Sequence, residues 1–88
     1  MKLKLTEELW KEENMYVSYC PELDIASCGE TMDQAKKNLG EVIVINLEEA
    51  QKIGTLENLL QEAGFDEKQG IFSIRKELVG FTPIEVAI

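Results

Sequence analysis

The stretch from Met15 to Ile43, MYVSYCPELDIASCGETMDQAKKNLGEVI, contains a change of periodicity that decides the fold. Met15 to Cys20 is rich in β-branched and aromatic residues and reads as a strand. Pro21 cannot donate to a ladder, so the strand stops there, and Ile25 to Cys28 reads as a shorter strand closed by Gly29. Thr31 lies three residues before Gln34, the spacing at which two side chains cap the free amides of a helix start. From Met32 onward Ala35, Leu39, Val42, Ile43, Asn46, Leu47, Ala50 and Ile53 recur at threes and fours, which predicts a helix ending at Gly54.

Upstream, residues 2 to 12 read as one strand, with Leu3, Leu5 and Leu9 on one parity and Lys2, Lys4, Thr6 and Glu8 on the other. Glu13 and Asn14 supply a tight turn, with Asn expected to take the positive φ. The first half is therefore a three-stranded antiparallel meander followed by a helix. Downstream, Thr55 is placed to cap a short second helix carrying Leu56, Leu59, Leu60 and Ala63 and ended by Gly64. Asp66 to Gly70 reads as a polar turn, and Ile71 to Arg75 and Pro83 to Ile88 as short strands. The class is α+β, in a single domain spanning 1–88.

Within the long helix, Val44 lies opposite the apolar stripe and Ile45 to one side of it, so something besides the sheet should cover them. The cover is either the chain's own C-terminus or a second subunit, and a homo-oligomer is expected. Asn46, near the centre of the stripe, is expected as a satisfied core amide. Gly40 costs about 1 kcal/mol inside a helix relative to Ala, which suggests close approach by another segment.

Composition narrows the chemistry. Nine Lys and Arg against 17 Asp and Glu give the 88 residues a net charge of -8, unsuited to phosphate backbones and acidic membranes; it suits a basic protein partner, though keeping a small protein in solution is the commoner reason for such a charge. Histidine is absent, which removes the usual neutral-pH base, the commonest metal ligand and the Ser/His and Cys/His nucleophile pairs. Cys20 and Cys28 lack zinc-site spacing and read as small packing residues, and no phosphate-binding glycine loop is present.

With two cysteines, and no signal-peptide-like apolar run before the first charged residues, a reducing, cytoplasmic setting is expected. No stretch approaches the length of a membrane helix. Glu22, Asp24 and Glu30 flank the third strand and would hold magnesium if they converged on one sheet end, but each fits a solvated turn equally well. Glu7, Glu8, Glu12 and Glu13, and Asp33, Glu41, Glu48 and Glu49, fit solvated faces. No catalytic, metal-binding or cofactor-binding residue is assigned, and a binding protein is expected rather than an enzyme.

The ordered set formed by the Cys20-Pro21 step, the Glu22-Leu23 pair, Gly29-Glu30-Thr31 and Ala35 at the helix start resembles the core of the HicB-like antitoxin family, over roughly residues 1 to 52. The resemblance implies a partial RNase H-like fold of β-β-β-α-β type without a working set of metal-binding carboxylates. It also implies neutralisation of a small basic HicA-type mRNA interferase by covering its RNA-binding surface and catalytic histidine, often with self-association. Glu22, Asp24 and Glu30 are the expected acidic contacts. The chain departs from the family in two places. Asp24-Ile25 stands where a Pro-Gly-like turn is expected. Residues 65 to 88 hold no basic recognition helix, only Lys68, Arg75 and Lys76, so the promoter binding common in that family is not expected.

Overall fold

The computed structural model describes residues 1–88, an α+β arrangement of two helices and six strands in two small sheets. Strands β2 (Glu8–Glu12), β3 (Met15–Cys20) and β4 (Ile25–Gly29) form an antiparallel meander in that order, with Leu9 opposite Ser18 and Ser18 opposite Ser27. Helix α1 (Met32–Lys52) crosses one face of it, against β3 and β4. Alternation along β3 sends Ser18 and Cys20 to that face, where they are fully buried together with Ala35 and Leu39 of the helix.

The second sheet has the order β1-β6-β5 and is built from β1 (Lys2–Leu3), β5 (Phe65–Lys68) and β6 (Ile71–Ile74). β1 runs parallel to β6, and β5 and β6 form a hairpin. Around this sheet, Ala50 from the end of α1, Leu56 and Leu60 from α2 (Leu56–Glu62), and Phe65 form the main apolar cluster. Leu3, Leu5, Leu23 and Phe72 pack against it half-buried.

Both ends of α1 follow the sequence, with one difference at the start. The Thr31 hydroxyl accepts from the Gln34 amide at 3.1 Å, but the Gln34 side-chain oxygen accepts from the Glu30 amide at 2.7 Å, one residue further back than in the reciprocal box. At the other end the Thr55 amide donates to the Ala50 carbonyl and the Gly54 amide to that of Gln51, with Gly54 at φ 78. These are the two bonds of a Schellman stop. Thr55 stands at the N-cap of α2 and its carbonyl accepts from the Leu59 amide at 2.9 Å, but its side chain makes no capping bond there; the hydroxyl donates back to the Ala50 carbonyl at 3.4 Å.

Other expectations are corrected. The strand expected over 2–12 is two strands in different sheets. Thr6 gives its amide and hydroxyl to Glu22, and the Lys4 amide goes to the Phe72 carbonyl, so the chain leaves one ladder before joining the next. In the first turn the positive φ falls on Glu13 (φ 55), not on Asn14. Asp66 to Lys68, expected as a turn, lie in the edge strand β5, and only Gln69 and Gly70 (φ 53 and 80) turn the chain. Positive φ at both residues is the twist a two-residue hairpin favours.

Residues 83–88 form no strand. Asn46 is exposed and donates to the Val42 carbonyl at 2.8 Å within its own helix. A Cβ added at Gly40 would meet nothing within 4 Å, so this glycine serves no close approach. Gly29 does: its added Cβ would lie 2.7 Å from the Ala35 nitrogen and 2.9 Å from the Gln34 Cβ. Val44 and Ile45 lie off the packed face as the sequence leads one to expect, but they stand exposed, and the chain's own C-terminus does not supply the expected cover.

Candidate partner-binding surface

The three acidic residues singled out from the sequence do not meet. Glu22 and Asp24 lie in the turn before β4 and Glu30 directly after it, so the strand holds them at opposite ends, about 17 Å apart along an extended chain. They do not converge on one sheet end, and no group of three His, Cys, Asp or Glu side chains is placed to hold a metal ion. Each acid has a local role instead.

Glu22 accepts from the Thr6 amide at 2.9 Å, the Thr6 hydroxyl at 2.6 Å and the Cys20 thiol at 3.5 Å. It ties the end of β3 to the link between the two sheets. Partial burial opposes ionisation of this carboxyl, but the bonds from Thr6 outweigh it and hold its pKa below the usual value. Burial, followed by the neighbouring Glu22, raises the pKa of the Cys20 thiol, despite opposing backbone bonds. An inert packing residue is what that environment favours.

Asp24 adopts φ 53, a left-handed conformation that proline cannot take and that Asp is one of the few residues to tolerate, so the turn here is not of Pro-Gly type. Its Oδ1 accepts from the Tyr19 hydroxyl at 2.7 Å, and that bond is the first cause of the raised pKa of the exposed phenol. Glu30 is exposed beside the start of α1.

Two features escaped the sequence reading. Glu7, expected on a solvated face, accepts from the buried Ser18 hydroxyl at 3.1 Å and lies 3.9 Å from the Lys36 ammonium, so it joins the β2 end of the sheet to α1. The strand registers also place Trp10, Val17 and Cys28 in one row and Glu8, Tyr19 and Ala26 in the next, on the sheet face away from the helix. Period-two alternation within each strand carries this face, but residue types alone do not say which parity the helix takes. Trp10 is 52% exposed, and Cys28, expected as packing, is also exposed. Phe81 of the tail stacks on Trp10 with ring centroids 6.0 Å apart.

An open groove of about 860 Å³ runs between the sheet link and the tail, lined by side chains of both signs that include Lys4, Glu22, Asp66 and Arg75. It lacks the enclosed apolar wall that a small-molecule site requires. The molecule instead offers a broad outer sheet face, where Trp10 lies between Glu8 and Glu12 of the same strand and donates its indole hydrogen to Glu8. No helix is long and apolar enough to cross a membrane. Comparison with known proteins finds no matching family model, curated protein or solved structure.

Proposed function

We propose that this chain is a HicB-like antitoxin-type binding domain with a partial RNase H-like core, which neutralises a small basic HicA-type mRNA interferase by covering its active surface. The observation that carries the reading is the place each motif residue takes in the fold. Cys20 ends β3 in the core, Glu22 ties the end of that strand to Thr6, Gly29 gives the close approach of β4 to the helix, Thr31 caps that helix and Ala35 is its first buried residue. A net charge of -8 supports a basic partner, since opposite charge steers encounter and selects against acidic competitors. Asp24 and Glu30 are the acidic contacts with carboxylates open to such a partner; Glu22 contributes by holding the turn.

Pull-down against a small basic HicA-type interferase, with rescue of growth on co-expression, tests the reading. Binding and rescue support it; a folded chain that neither binds nor rescues removes it. The exposed apolar tail favours a second reading, a self-associating protein of the same kind without a toxin, and a chain monomeric at high concentration removes that one.

A further inference from the structure

We propose that two copies of this chain exchange their C-terminal segments, Pro83–Ile88 of each adding as a strand to the free β2 edge of the other. The segment is built as a strand but unused as one. Ile84, Val86 and Ile88 alternate with Glu85 and Ala87, and Pro83, which lacks an amide hydrogen, stands where a strand tolerates it, at the first position. Yet residues 76–88 make no backbone hydrogen bond, and Ile84 and Val86 are 82% and 73% exposed.

A strand acceptor lies beside it. β2 is an edge of the meander, with one side of its backbone unpaired, and Phe81 on Trp10 already brings the tail to that strand. In the single chain the residues beyond Phe81 are paired with no strand, so both the donor segment and the acceptor edge stand open.

The size of the molecule gives the second argument. A folded 10.0 kDa monomer exposes roughly 5,200 Å² by the usual scaling, whereas this chain exposes 7265 Å². Its radius of gyration is 15.2 Å against about 12 Å for a compact chain of this length. The excess of roughly 2,000 Å² per copy would give two copies a contact in the range of obligate, intertwined dimers. A second copy is the occupant that fits, because donor and acceptor sit on the same chain: a closed two-fold exchange pairs both tails and both edges and leaves neither open. A different partner laid on β2 would leave the tail exposed. This association does not depend on toxin binding, and its test contains no toxin.

The test is sedimentation of the full chain with a Val86→Pro variant, joined to isotope-filtered NMR on a mixture of labelled and unlabelled chains. The Val86 amide is unbonded in the single chain, so proline there leaves the monomer fold intact, but within an exchanged strand it removes a ladder bond. At about 50 µM the wild type is expected to sediment at twice its 10.0 kDa mass, V86P to raise the dimer Kd at least about tenfold, and Val86→Ile to leave it near the wild-type value. Ile84 and Val86 methyls of one copy should show contacts to the Trp10 indole of the other. A wild type monomeric up to about 500 µM, a dimer that V86P leaves as tight, or tail contacts only to the same chain's β2 would each overturn the proposal.

Discussion

Glu22 and Gly29 show how much of this fold hangs on single residues outside the apolar core. The Glu22 carboxylate takes both polar hydrogens of Thr6, and its pKa is lowered on folding. A lowered pKa means that the stabilisation is complete above the usual value of 4.5 and fades as pH falls through the folded value. Glu22→Gln is expected to cost about 1 kcal/mol at neutral pH and little at pH near 3, so urea midpoints of variant and parent should converge on acidification. A constant gap would mean that the charge does not matter.

Gly29→Ala pushes a methyl within 3 Å of the first turn of α1 and is expected to destabilise by about 1 to 3 kcal/mol, whereas Gly40→Ala, in open space within the helix, should stabilise by about 0.5 to 1 kcal/mol. Thermal denaturation of the two variants reads both signs. The sequence marks Gly29 and Gly40 as special, yet assigns close approach to the wrong one. The distance that separates them comes from the packing of α1 on β4, which no local pattern contains.

Among the elements, those read correctly carry their own local signals. β3, β4 and α1 are bounded by Pro21, Gly29, Thr31 and Gly54, each of which acts through its own backbone or cap. Thr31→Ala removes the acceptor for the Gln34 amide and should cost about 1 kcal/mol, with loss of helical signal and of amide protection in the first turn of α1. Elements misread depend on distant partners. The break between β1 and β2 is made by Glu22 and Phe72, far along the chain from Lys4 and Thr6. β5 carries Asp66, Glu67 and Lys68, poor strand formers that an exposed edge tolerates and that discourage further pairing there. Pro83–Ile88 has the alternation of a strand but finds no ladder in a single chain. The apparent failure of that pattern is the ground for seeking its partner in a second copy.

At the scale of the whole molecule, a thin core lies beneath a large, acidic and partly apolar surface. The candidate site was legible in residue type but not in placement. Glu22, Asp24 and Glu30 could be picked out as acids near turns, while their separation by the length of β4 and the hydrogen bonding of Glu22 arise only on folding. For the proposed basic partner, long-range charge should govern encounter: raising salt from about 0.05 to about 0.5 M is expected to slow association roughly tenfold or more, with a smaller effect on dissociation. Asp24→Asn with Glu30→Gln should slow association a further few-fold without unfolding the chain, which stopped-flow mixing reads directly.

The central claim, that the chain binds and silences a toxin, meets its most direct test in an RNA-cleavage titration. A small basic HicA-type interferase is held at fixed concentration, and the full chain is added. Cleavage is expected to fall linearly to zero at a fixed stoichiometry. Undiminished cleavage in the presence of a large excess of folded chain would contradict the account.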